Sequence, residues 1–331
     1  MIKNAQIREN VSRRIVYSEF YDGQGLGNQL WTYAIVRSLA QKFHCDFSLL
    51  SSSRFKGKGF IDLDFGEFGN ISLGTAPSRS TLFDSDTVFF EKKRKHRKLK
   101  FDMTIVNSFP SKFISGLKLE GNFENETYIS ACVDDIRAWY EVPYHYAYPT
   151  QENICIINLR GRDFSFHKQL ALGVDYFINA MRMVSENAVT EIEFKVVTDD
   201  NELAKAILPN LEILSSSADF SVNYPYKKVA ADLATLQNAR YLILSNSSFS
   251  WWGAWTNKKS KIIIAPKFWA RHNINTGFWS PSGIITDYWH YVDVSGKAWS
   301  SQECKNEVNE MHSRIKHRIF SKNWSNWWHV D

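Results

Sequence analysis

The chain is 331 residues long, 44% hydrophobic and 23% charged, with a net charge of +5 from 40 Lys+Arg against 35 Asp+Glu. That size holds one large domain or two ordinary ones, and the composition excludes a disordered chain, a coiled coil and a collagen-like repeat. The positive balance is too small to argue for nucleic acid and suits an anionic small molecule or an anionic membrane surface equally. Aromatic residues reach 15%, with 12 Trp and 23 Phe, which fits either core packing or sugar stacking. Cys45, Cys132, Cys155 and Cys304 are far apart and read as free thiols in a reducing compartment. The first 20 residues lack an apolar run, so no signal peptide is expected and the protein is placed in the cytoplasm. Residues 241–257 form a long uncharged stretch, but its four Ser, two Asn and one Thr argue against a membrane span.

In chain order, RIVYSEF (14–20) reads as a strand, DGQGLGNQ as a glycine-rich turn, LWTYAIVRSLAQKF (30–43) as a helix and CDFSLL (45–50) as the next strand, together a βαβ unit. Residues 51–116 are less patterned and contain the basic run EKKRKHRKLK (91–100), either a solvated face or a contact for an anionic membrane or lipid diphosphate. Beyond a boundary placed near residue 150, in EVPYHYAYPTQEN, strands (155–159, 193–198, 241–245, 261–266) alternate with helical patterns (174–186, 201–208, 231–239). That alternation predicts a parallel Rossmann-type sheet. The organisation expected is a first Rossmann-like domain over 1–150, a second over 151–310, and a Trp-rich tail over 311–331 that packs back or lies on a membrane.

In open parallel sheets ligands sit beyond the carboxyl ends of the strands, and three motifs fall there. Gly23–Gln29 follows the first strand and is either a tight turn or an anion-binding loop, with Asn28 and Gln29 as extra donors. It is neither G-x-G-x-x-G nor a P-loop. Asn158-Leu-Arg-Gly-Arg-Asp-Phe164 offers Arg160 and Arg162 to a diphosphate, with Asp163 to orient an arginine or accept a proton; the alternative is a surface Arg–Asp pair. Asn246, Ser247, Ser248 and Phe249 open a helix carrying Trp251, Trp252 and Trp255, which are core residues or part of the motif. Asp199 and Asp200, at another strand end, suit a ribose or guanine contact or a helix N-cap.

GQGLGNQLWTYAIVRSLA, LKLEGNFENETYI (117–129), INLRGRDF, VVTDD and ILSNSSFSWWGAW together resemble the family 11 glycosyltransferases, the bacterial α-1,2-fucosyltransferases. The resemblance implies a GT-B architecture, two Rossmann-like domains facing across a cleft. It also implies a GDP-fucose donor bound mainly by the second domain, and metal-independent, inverting transfer to a galactoside of a lipid-linked surface oligosaccharide such as an O-antigen. Arg160 falls on the family's diphosphate arginine and Asn28, beside Gly27, on the asparagine of the first-domain loop. Ser247 and Ser248 fall on the serine turn, and Asp199 or Asp200 on the acidic nucleoside site. The family's His-x-Arg-Arg-Gly-Asp-Tyr departs here to Asn158 in place of histidine and a transposed Gly161-Arg162.

Leaving-group charge needs arginine, helix N-termini and backbone N–H groups when no metal supplies the stabilisation. Asp163, Glu124 and Asp22 are the candidate bases for the acceptor hydroxyl. Rival readings are a GT-B transferase using another GDP-sugar, a metal-dependent transferase using Asp62-Leu-Asp64 or Asp84-Ser-Asp86, and a non-catalytic carbohydrate-binding protein. Peripheral membrane contact through 92–100 and the tail is compatible with the charge pattern, and no nucleic-acid role is expected.

Overall fold

The computed structural model describes residues 15–66, 80–83, 99–100, 116–162, 164, 170–217, 225–269, 280–281 and 283–318. The chain divides into two compact units, residues 1–56 with 62–136 and residues 57–61 with 137–331. The linker expected near residue 150 lies inside the second unit. Val142 donates its N–H to Gln237 Oε1 at 3.0 Å, and Tyr148 donates its N–H to Thr235 Oγ1 at 2.9 Å. Tyr140, Val142 and Tyr148 are buried with them, so EVPYHYAY is anchored to the second unit at both ends.

The first unit is a five-stranded parallel sheet, order β2-β1-β5-β3-β4. Its strands are β1 (Ile15–Glu19), β2 (Asp46–Leu50), β3 (Ser80–Phe83), β4 (Leu99–Lys100) and β5 (Gly116–Glu120). β1 runs into α1 (Leu26–Phe43), which starts four residues ahead of the periodic run at Leu30. The cause is local. Gly25 takes an extended N-cap conformation, and Leu26 and Gly27 are already buried in the first turn. Buried residues lie on every side of α1, as for a core helix. Gln29, read from sequence as a ligand donor, has both ends of its amide used internally: Nε2 donates to Arg54 O at 2.8 Å and Oε1 accepts from Lys56 N at 2.8 Å.

Short α2 (Val133–Trp139) precedes the second unit's seven-stranded sheet, order β12-β11-β10-β9-β6-β7-β8. The strands are β6 (Ile154–Leu159), β7 (Glu193–Thr198), β8 (Glu212–Ile213), β9 (Tyr241–Ile243), β10 (Ile262–Pro266), β11 (His290–Val292) and β12 (Ala298–Trp299). All pairs are parallel except the β11–β12 edge. Every residue of β6 is buried, the continuous apolar run expected of a strand covered on both faces. The helices are α3 (Val174–Asn187), α4 (Asn201–Ile207), α5 (Leu214–Ser217), α6 (Pro225–Asn238), α7 (Ser248–Trp255) and α8 (Ser301–Arg318). α6 begins six residues before the expected Ala231, with proline in the first position, where its missing N–H costs nothing. Against it lies α7, so close that a Cβ on Gly253 would sit 2.6 Å from Leu236 Cβ.

The tryptophans of α7 are core. Trp252 is fully buried, its ring 5.0 Å from Tyr140, 4.9 Å from Trp251 and 5.4 Å from Trp255. The uncharged stretch 241–257 is therefore β9 and α7, and no helix among the described residues is long and apolar enough to cross a membrane. The four cysteines are free. The expected tail boundary at 311 falls within α8; residues 319–331, Asp84, Asp86 and the run 91–98 lie outside the described residues.

Candidate functional site

In the second sheet the chain lays β6, β7 and β8 in one direction and β9, β10 and β11 in the other, so the topological switch falls between β6 and β9. Ligands of doubly wound sheets bind at the carboxyl ends beside such a switch. The loop after β6 carries Arg160-Gly161-Arg162, and the turn after β9 carries Asn246, Ser247 and Ser248 into α7. Two of the three motifs read from sequence thus meet at one place in the fold.

The arginine loop is held by the end of β7. Arg160 Nη1 ion-pairs with Asp199 Oδ2. The Gly161 N–H donates to Asp199 Oδ1 at 2.8 Å, and the Arg162 N–H donates to Asp200 Oδ2 at 3.1 Å. Arg162 Nε donates to Asp199 O at 2.9 Å. Asp200 also caps α4, accepting from Leu203 N–H at 3.0 Å through Oδ1. Both carboxylates expected at the nucleoside therefore organise the arginines, and the N-cap alternative for Asp200 holds. The transposed glycine has a steric reason: a Cβ on Gly161 would lie 2.7 Å from Asp200 Oδ2 and 2.8 Å from Cγ. Arg162 has φ +34, a left-handed backbone that few non-glycine residues adopt and that clusters at functional loops. The Arg160 guanidinium carbon is 5.9 Å from the Phe164 ring centre. Asp163 lies outside the described residues.

Asn158, in the family's histidine position, is buried and turned into the sheet. Its Oδ1 accepts from Ser245 Oγ at 3.2 Å and from Ser250 Oγ, and its Nδ2 donates to Val197 O at 3.4 Å. Ser247 is the N-cap of α7, its Oγ accepting from Phe249 N–H at 3.3 Å. Ser248 is buried and Phe249 half-buried at the same helix start. Asn246 differs from the expected outward donor, because its Nδ2 donates to Leu170 O at 2.9 Å and to Trp269 O at 2.6 Å.

A buried cluster that sequence reasoning missed holds the end of β7, ahead of Asp199 and Asp200. Thr198 donates its N–H to Ser215 Oγ at 3.1 Å, and its carbonyl accepts from Lys228 Nζ. Both partners contact Asp232, Ser215 Oγ at 3.3 Å and Lys228 Nζ at 3.4 Å, and Tyr148 Oη donates to Asp232 at 3.2 Å. Burial raises the Asp232 carboxyl to about 6 despite Lys228, and raises the Tyr148 phenol as well. The signal in sequence was a lone Asp in the middle of a helical pattern, AADLATL, which periodicity alone counts as an exposed position.

In the first unit, β1 and β5 are neighbours, so the loops after them share one end of the sheet. Asp22 is exposed and pairs with Arg54 Nε at 3.0 Å. Asn28 is half-buried in the first turn of α1, and Gly27 beside it is buried. Glu124 follows Phe123, a fully buried aromatic at φ +55, in a tight loop where Asn125 N–H donates to Phe123 O at 2.7 Å. Tyr21 Oη reaches Asn122 Oδ1 at 3.5 Å and links the two loops. Asp62 is exposed, and Asp64 closes a local turn by accepting from Gly66 N–H at 2.9 Å. Among the described residues no three His, Cys, Asp or Glu side chains gather as a metal-binding group.

Each of the two units is a Rossmann-like α/β sheet, the building block of a GT-B architecture, and the second sets guanidinium groups at its switch point. Residues 150–293 match the model of glycosyl transferase family 11, which together with the following relatives supports a glycosyltransferase of the family 11 type. An alpha-1,2-colitosyltransferase of Escherichia coli is 26% identical over 287 residues, covering 76% of this chain and 92% of the relative. The O-antigen biosynthesis glycosyltransferase WbnK of Escherichia coli is 29% identical over 123 residues, 36% of each chain. Among solved structures, NodZ alpha-1,6-fucosyltransferase soaked with GDP-fucose aligns over 76% of this chain and 94% of its own, at a TM-score of 0.43 and 13% identity, and fucosyltransferase NodZ from Bradyrhizobium aligns over the same shares at a TM-score of 0.41.

Proposed function

We propose that this glycosyltransferase moves L-fucose from GDP-fucose to O2 of a galactoside in a surface oligosaccharide, with inversion and without a metal. The observation that carries the reading is the Arg160-Gly161-Arg162 loop at the β6–β9 switch point, fixed by Asp199 and Asp200 beside the N-terminus of α7. Charge that develops on the departing diphosphate meets guanidinium groups and backbone N–H groups already oriented, which lowers the barrier without reorganisation. Arg160 and Arg162 take phosphate oxygens, Ser247 and Ser248 present the helix start, and Asn28 with Gly27 supplies the first-unit loop. Asp22, Glu124 or Asp163 takes the acceptor proton. The acceptor is a lipid-linked glycan, reached from the cytoplasmic side of a membrane, in O-antigen synthesis.

The colitosyltransferase relative favours a second donor, colitose in place of fucose, with the same α-1,2 linkage. A donor screen decides between them: nucleotide release by purified protein from GDP-fucose, GDP-mannose, UDP-sugars and a colitose donor, each with a galactoside acceptor. Turnover with the fucose donor is expected to survive excess EDTA and to fall about a hundredfold in Arg160→Ala, the loss typical of one donor to a developing oxyanion. Near wild-type turnover of that variant overturns the reading.

A further inference from the structure

β9 is the central strand at the switch, flanked by β6 on one side and β10 on the other. The residue that leaves β9 toward α7 is therefore within reach of the loops after both neighbours. Asn246 occupies that place and is 2% exposed. Its single amide nitrogen has two hydrogens, and each has a different loop carbonyl: Leu170 O at 2.9 Å, between β6 and α3, and Trp269 O at 2.6 Å, after β10. The second loop is closed at the same residue, since the Trp269 N–H donates to the buried Ser280 Oγ at 3.1 Å. On its own flanks Asn246 has Ser245, bonded to Asn158 of β6, and Ser247, the cap of α7. Only a carboxamide at this position supplies two N–H donors from one neutral, compact group; an aspartate would present oxygen to both carbonyls.

We propose that Asn246 is a positioning residue that joins the arginine loop after β6 to the loop after β10, so that the diphosphate contacts are set by the second loop as well as by β7. This rests on the reading of the arginine loop as the GDP site. Asn246 does not touch the ligand; it acts by holding Leu170 and Trp269 on either side of the strand end from which Arg160 projects.

The test is a double-mutant cycle on GDP affinity, measured by titration calorimetry on the full chain for wild type, Asn246→Leu, Arg160→Ala and the double variant. Leucine keeps the number and branching of side-chain heavy atoms and removes both donors, and Asn246→Ala is the second variant should leucine not fold. The dissociation constant for GDP is expected to rise about tenfold in Asn246→Leu. In the Arg160→Ala background the same change is expected to add less than about threefold, because the group through which Asn246 acts is already gone. Wild-type GDP affinity in Asn246→Leu while Arg160→Ala is weakened overturns the proposal and leaves the GDP reading standing. So does an effect of equal size in both backgrounds, which marks general damage to the fold. GDP binding unchanged by Arg160→Ala overturns the GDP reading and this proposal with it.

Discussion

Gly161→Ala tests the packing of the arginine loop directly. The added methyl would overlap Asp200 Cβ and stand 2.7 Å from Asp200 Oδ2 and 2.8 Å from Asp200 Cγ, against an ordinary contact of about 3.5–4.0 Å, so one backbone must move by about 1 Å or more. Asp200 cannot swing away cheaply, since its Oδ1 caps α4 through Leu203 N–H at 3.0 Å and its own N–H donates to Thr198 Oγ1 at 3.0 Å. The loop gives instead, and with it one of the two bonds from Gly161 N–H to Asp199 and from Arg162 N–H to Asp200. A hydrogen bond to a charged group is worth about 1.5–3 kcal/mol and overpacking costs about 1–3 kcal/mol, so losing one bond with partial relief of the clash totals about 3 kcal/mol. In a unit of this size that is a fall in Tm of about 6–12 °C. GDP affinity should drop at least about tenfold, because both guanidiniums shift with the loop. Differential scanning calorimetry and GDP titration measure the two effects. An alanine variant with the Tm and GDP affinity of the wild type would refute the argument that Asp200 dictates glycine here. Asp200→Gly, which removes the clashing Cβ, should restore part of the affinity lost in Gly161→Ala.

Asp232 predicts a pH signature. Its carboxyl is raised from 3.8 to about 6, chiefly by burial, so the stability it contributes is fully present below about 4 and is lost as pH rises through about 6. The difference in unfolding free energy between wild type and Asp232→Asn should change by roughly 3 kcal/mol across pH 4 to 6, to the disadvantage of wild type at the upper end; a constant difference by denaturant titration would remove Asp232 from this role. Trp252→Ala should lower stability by about 3–5 kcal/mol because a fully buried ring among three aromatic neighbours leaves a cavity; a loss below about 1 kcal/mol in chemical denaturation contradicts the packing described.

What the amino-acid order made legible was the period. CIINL, EFKVVT and KIIIAP are strands because their residues are apolar or β-branched in short runs, and they lie in the sheet where the alternation put them. α1 and α6 were seen without their first turns, since those turns are set by a glycine cap and an initial proline rather than by apolar spacing. The short strands β3, β4, β8 and β12 have two to four residues and no period to detect. At the site, the arginine pair and the serine turn were visible as residue types at strand ends. The use of Asp199 and Asp200 as braces, of Asn246 as a tie and of Asp232 as a buried hub depends mainly on contacts between positions 17 to 84 residues apart, which no local pattern encodes.

The brace of Arg160 and Arg162 by Asp199 and Asp200 also sets how the protein meets an anion in solution. Two guanidiniums and two carboxylates cancel in formal charge, so these four groups project little field beyond about one Debye length, 8 Å at physiological ionic strength. A nucleoside diphosphate drawn to this loop would arrive at a rate set by diffusion rather than by long-range attraction, and its association rate constant would depend only weakly on salt. Discrimination would come at contact, where the diphosphate competes with Asp199 for the same guanidinium, and a ligand with one phosphate fewer would gain less from displacing it.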